Sequence, residues 1–345
     1  MTAFTSEPMP MLQSDDSEPA SAPMRHSLWA RVLAEFAGSL IICFAIYMML
    51  SLGTAFYGTD MAFVAVGVGV IYAAVTFIFA KISGGQFNPA ITVAAMLTSK
   101  TRVLDGILYI IAQIIGAICA GGLFAWIIPT SEQVTASAWY TMVINGFGEG
   151  SSMASQLSQL GIDFNITMAI IVELVASIIV VATAVVTMKK NGVAKRSHSV
   201  AMGIAYAAAT AMSFPVTGAS INPVRATGIA IFAHGKGLAK EPLTQLWVFW
   251  VCAILAAAVV ALVIIVSQII AGSQGNATLA DADPAAVALT AAQKPVATQD
   301  YQDVAAQDDN VTLTEEEADL ASPYGYVAKA NETVESYGQQ PNTQA

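Results

Sequence analysis

Long apolar runs alternate with short polar stretches along this chain, and the lengths of the runs decide the first expectation. Six runs, at roughly 29–52, 60–80, 104–128, 165–188, 198–214 and 244–271, are built mainly from Ala, Val, Ile, Leu and Phe. A helix needs about 20 such residues to cross hydrocarbon about 30 Å thick, so each run predicts a spanning helix. Two further apolar pieces, 88–98 and 222–233, are too short to span and too apolar for solvated loops. Non-helical backbone at membrane depth is tolerated only under cover of protein or beside a water-filled cavity. The two pieces therefore read as re-entrant half-helices. The predicted fold class is an all-α membrane protein with six transmembrane helices plus two re-entrant half-helices.

Composition agrees with a bilayer setting. The chain is 56% hydrophobic and 11% charged, with a mean hydropathy of +0.63, whereas a soluble domain carries roughly 25% charged residues. The net charge of -10 is a property of one end: from residue 271 onward there are 12 acidic side chains against Lys294 and Lys329, and the remainder holds 12 of each sign. The acidity is therefore no guide to a substrate. Cys43, Cys119 and Cys252 all lie in apolar runs, where a cysteine acts as a small core residue, so neither a disulfide nor a metal site is expected. Residues 1–28 lack the basic start and apolar core of a cleaved signal and read as a disordered cytoplasmic arm. Residues 272–345, rich in Ala, Gln, Asp and Glu, read as an acidic disordered cytoplasmic tail. Residues 29–271 are the membrane domain.

Basic residues set the orientation. With alternating spans, Arg25, Arg31, Lys81, Lys100, Arg102, Lys189, Lys190, Lys195 and Arg196 fall on one side, with Lys236 and Lys240 opposite. The positive-inside rule then places both termini in the cytoplasm of a multi-pass protein, in the plasma membrane or an internal one.

Chemistry concentrates in two stretches, Ser83-Gly84-Gly85-Gln86-Phe87-Asn88-Pro89-Ala90 and Thr217-Gly218-Ala219-Ser220-Ile221-Asn222-Pro223-Val224-Arg225. Each is a glycine-containing loop running into Asn-Pro, the signature of a helix start. The chain also repeats itself. Ala34-Glu35-Phe36-Ala37-Gly38-Ser39 in the first run answers Val172-Glu173-Leu174-Val175-Ala176-Ser177 in the fourth; Glu35 precedes Asn88 by 53 residues and Glu173 precedes Asn222 by 49. Repeat one covers about 29–128 and repeat two about 165–271. Three spans per repeat is an odd number, so the second copy is inverted in the membrane and the half-helices meet from opposite faces.

With these residues in view, the sequence resembles the major intrinsic protein family, the aquaporins and aquaglyceroporins, over about residues 29–271. The resemblance implies an aquaporin-like inverted repeat that passes water and small uncharged solutes such as glycerol, urea or ammonia. Helix N-termini carry partial positive charge and free N–H groups. Two facing ends, with Asn88 and Asn222 offering amide donors, would break a hydrogen-bonded water wire and repel cations. The boxes are Asn88, Pro89 and Ala90, and Asn222, Pro223 and Val224, the last a departure that adds bulk. Asparagine is also a favoured helix cap, so each can serve both roles. Counting from the asparagines as the family does gives a selectivity filter of Val68, Thr210, Ala219 and Arg225. It has neither the aromatic nor the histidine of water-selective relatives, which implies a wider mouth. Ala226 stands where typical glycerol facilitators carry aspartate. Glu35 and Glu173 take the family's scaffold role, holding the loops, and Gly38, Gly84, Gly85, Gly116 and Gly218 read as close-packing residues.

No catalytic constellation, phosphate loop or metal spacing is present, so the reading is a non-enzyme with no cofactor, no metal and no nucleic-acid partner. The expected partners are water and small neutral solutes, the lipid bilayer and, by resemblance, three further copies in a homotetramer. Two alternatives stand: a closed-pore family member with a structural or adhesion role, and a secondary transporter, for which inverted repeats also occur.

Overall fold

The computed structural model describes residues 26–58, 60–151, 153–154 and 158–280, with Phe56, Tyr57 and 272–280 described by backbone alone. The chain divides into two units, Met1–Gln274 and Gly275–Ala345. The second is described only over residues 275–280, as helix. The expected arm, up to residue 25, and the expected tail, from residue 281, lie outside the described residues.

In chain order the helices are α1 (Leu28–Met48), running through a π turn (Met49–Gly53) into α2 (Thr54–Tyr57); α3 (Met61–Ser83); α4 (Pro89–Leu97); α5 (Val103–Ile127); α6 (Ala136–Thr141); α7 (Ile166–Val186); α8 (His198–Thr217); α9 (Pro223–Ala233); and α10 (Pro242–Ala280). Among the described residues, six helical stretches are long and apolar enough to span a membrane. Their outward faces carry large apolar side chains, with Phe77 73% and Trp126 81% exposed, a surface that suits lipid and not water.

Local chemistry sets the helix ends. The side chains of Ser27, Asp60 and Asn165 accept from Ala30 N, Phe63 N and Met168 N at the starts of α1, α3 and α7. Gly84 and Gly218, with φ of 98° and 71°, end α3 and α8 in the left-handed region that glycine adopts freely. Two helix ends and one cysteine refine the sequence reading. The first run, expected as one span over 29–52, is continuous from Leu28 to Gly53, and its end winds into a π turn where the Thr54 hydroxyl bonds back to the Leu50 carbonyl. The fifth run was expected to stop at 214, before Pro215; α8 carries the proline in its last turn and ends three residues later. Cys43 and Cys252 are buried as expected, but Cys119 is exposed.

Between lipid-facing helices the driving force is close van der Waals packing, which small residues permit. α1 packs on α5 and α3, α3 on α8, and α7 on α8. The half-helices reach across the repeats: α9 packs on α5 and α1, and α4 packs on α7 as well as on α5 of its own repeat. Glycines mark the tightest crossings. A methyl on Gly69 would lie 2.5 Å from the Gly203 carbonyl oxygen, and one on Gly121 would strike the Gly228 carbonyl. On one face, Lys100 Nζ donates to the Met188 and Lys189 carbonyls at 2.9 and 3.3 Å. Burial pushes its pKa down, and Lys195 and Lys190 add to this.

Candidate functional site

The two Asn-Pro loops are each hung on one buried carboxylate. Glu35 Oε1 accepts from Ser83 Oγ at 2.6 Å and Gln86 N at 3.0 Å; Oε2 accepts from Phe87 N at 2.6 Å and Gln113 Nε2 at 2.8 Å. Glu173 repeats the pattern, with Oε1 accepting from the Thr217 hydroxyl and from Ser220 N at 2.9 Å, and Oε2 from Ile221 N at 2.8 Å. The partners stand five, two and one residues before the asparagine in both repeats. These loops contain Phe87, Ala219 and Ile221 at φ of 46°, 52° and 52°. Such backbone costs on the order of 1–3 kcal/mol per residue and persists where surrounding bonds over-determine it; the carboxylates supply those bonds.

Asn88 and Asn222 cap the half-helices, each Oδ1 accepting from the backbone N of Ala90 or Val224 at 2.9 and 3.3 Å. Pro89 and Pro223 follow as first helical residues. The amide nitrogens then cross between repeats. Asn88 Nδ2 donates to the Ile221 carbonyl at 3.2 Å, and Asn222 Nδ2 to the Phe87 carbonyl at 2.7 Å. Their second donors are also engaged, Asn88 with the Tyr206 hydroxyl at 3.0 Å and Asn222 with the Tyr72 hydroxyl at 3.1 Å. Both amides were expected to stand open to a passing molecule. In the structure each makes two protein hydrogen bonds, because a tyrosine reaches each of them.

Val68, Thr210, Ala219 and Arg225 come together in the wall of one cavity of about 10 Å³, room for about one water. Tyr72 and Tyr206 line it too. Arg225 Nη1 is held by the Gly218 and Ala219 carbonyls at 3.1 and 2.5 Å, and its own carbonyl accepts from the Tyr47 hydroxyl at 2.6 Å. Arg225 Nε, Thr210 Oγ1 and Ser220 Oγ are buried without a protein partner. A cationic donor and two hydroxyls therefore remain available beside apolar Val68 and Ala219. Ala90 and Val224 are fully buried. Val224, expected to add bulk where the half-helices meet, is not in the cavity wall.

Sequence reasoning passed over three contributors. Tyr72 and Tyr206 each stand 16 residues before their asparagine, a matched offset that an alignment of the two repeats would have exposed. Asn145 lies in the loop between α6 and α7 and donates from Nδ2 to the Thr217 and Gly218 carbonyls at 3.1 and 2.9 Å. It has no counterpart in the repeat pattern, so nothing in the sequence marks it.

A pair of exchanged half-helices in an inverted repeat of spanning helices, meeting at paired asparagines beside an arginine-lined cavity, defines a membrane channel. The major intrinsic protein family model matches residues 23–264, and the chain belongs to that family. It is 30% identical to Aquaporin Z of Photorhabdus laumondii over 230 residues, covering 65% of this chain and 91% of that protein. It is 28% identical to Aquaporin PIP2-3 of Zea mays over 272 residues, covering 72% and 86%. The solved structure of the aquaglyceroporin from Plasmodium falciparum superposes with a TM-score of 0.53 at 18% identity, over 68% of this chain and 94% of that one; that likeness concerns the fold. The protein is an integral multi-pass membrane channel for water or small solutes, and not an enzyme.

Proposed function

We propose that the chain is a passive channel that passes water together with small uncharged solutes such as urea, ammonia or a small polyol, and excludes protons and ions. One observation carries this reading: Val68, Thr210, Ala219 and Arg225, the four filter positions, stand together in the wall of one cavity that Tyr72, Tyr206 and Phe214 also line. No ring occupies these four positions. The unpartnered Thr210 hydroxyl and Arg225 Nε replace hydrogen bonds that a solute gives up on leaving water, and Val68 with Ala219 accepts its apolar side. Exclusion of ions rests on the two half-helix N-termini, which bring partial positive charge to the level of the asparagines, and on Arg225. Pore width, wall donors and electrostatic barriers together set such selectivity. Placement of both termini in the cytoplasm, and assembly as a homotetramer, belong to the same proposal.

The test is stopped-flow light scattering on proteoliposomes of the full chain with water, urea, glycerol and ammonia in turn. Vesicles should respond to osmotic steps faster than empty ones, take up at least one of the three solutes, and hold an imposed pH gradient. A proton leak comparable to the water flux would sink the mechanism. The closed-pore reading has one observation on its side, the two tyrosines beside the cavity, and predicts no water flux above that of empty vesicles.

A further inference from the structure

Beside the filter cavity, the Tyr72 and Tyr206 rings lie face to face, with centroids 3.3 Å apart and planes 5° from parallel. At that spacing nothing passes between them. Their origin is local. α3 and α8 cross at Gly69 and Gly203, where each glycine faces the other's carbonyl. Three residues further along each helix, on the same face, stand Tyr72 and Tyr206. The close crossing therefore brings the rings together, and their hydroxyls end on the two asparagine amides.

Two features make this pair more than core packing. Aromatic rings prefer offset or edge-to-face arrangements over a direct sandwich, so the stack is held by the helix crossing and the hydroxyl bonds rather than by ring attraction. In addition, each tyrosine oxygen accepts from an amide nitrogen whose other donor is already committed to backbone. The hydroxyls thus occupy the positions that the oxygen of a passing water would take.

We propose that Tyr72 and Tyr206 form a tethered two-ring gate at the level of the asparagines, in the wall of the same cavity as the four filter residues but distinct from them in its side chains. The rings must part for any solute to cross, and parting them uncovers the asparagine amides as donors. This inference rests on the channel reading above.

The experiment compares full-length wild type, Tyr72→Val, Tyr206→Val, the double Val variant and a double Phe variant. Each is purified, checked for a single gel-filtration peak, reconstituted at equal density and assayed for water and urea flux. The gate predicts a double Val flux tenfold or more above wild type, with smaller gains for the single variants. Double Phe keeps the rings but loses the tethers, and should rise severalfold. A conducting wild type with double Val and double Phe within twofold of it overturns the gate and leaves the channel reading intact. If every variant is silent, the channel reading fails and takes the gate with it. A silent wild type with a conducting double Val supports the gate and overturns the reading that the unmodified chain conducts. Should double Val fail to fold, double Phe decides: flux equal to wild type overturns the gate.

Discussion

The Thr210 hydroxyl stands in the cavity wall, buried and without a protein partner, and that isolation predicts its effect. A buried hydroxyl left unpaired costs free energy unless something passing through makes the bond. Under the proposed function a solute makes it. Thr210→Val keeps the shape of the side chain and removes the oxygen. With a net hydrogen-bond contribution of about 1 kcal/mol, urea flux should fall roughly fivefold. Water, which can turn to Arg225 or to its neighbours in file, should slow less. The ratio of urea to water permeability in reconstituted vesicles reads this directly; an unchanged ratio would place the selective step away from Thr210.

At the scale of helices, the α3–α8 crossing sets both stability and bore. A methyl on Gly69 would sit 2.5 Å from the Gly203 carbonyl and 2.8 Å from Ala207 Cβ, so Gly69→Ala must push the helices apart. Overpacking of this kind costs about 1–3 kcal/mol, or several degrees in thermal unfolding. If the crossing fixes the ring spacing, the same substitution raises water flux while lowering stability; a fall in both would show that the crossing only holds the bundle. How legible these elements were in the sequence follows from what generates each signal. Run lengths gave the six spans, and Asn-Pro gave both half-helices, because bilayer thickness and capping act locally. Glu35 and Glu173 stood out because ionisable groups are rare inside spans. Tyr72 and Tyr206 did not, since a tyrosine among Val and Ala reads as packing until the opposite helix is known. The π turn at Met49–Gly53 and the loop anchor Asn145 depend on tertiary contacts with no sequence periodicity.

The molecule as a whole is an exchange between two inverted copies, and its hydrogen bonds run in a loop. Glu35 holds Phe87 N, and the Phe87 carbonyl accepts from Asn222; Glu173 holds Ile221 N, and the Ile221 carbonyl accepts from Asn88. Each carboxylate therefore positions the acceptor that the other repeat's asparagine uses. Replacing either by glutamine turns an amide donor toward backbone donors, and each acceptor lost costs roughly 1–3 kcal/mol. Glu35→Gln and Glu173→Gln should consequently lower the unfolding temperature in detergent by similar amounts, at about 2–4 °C for each kcal/mol. Were the two loops separate anchors, the double variant would show the sum of the two losses. Residues sharing one network instead couple by about 0.5–3 kcal/mol. Because the first substitution already loosens the contact that the second would disturb, the double loss should fall short of the sum. A strictly additive pair of shifts would mean that the crossed asparagine bonds transmit nothing between the repeats.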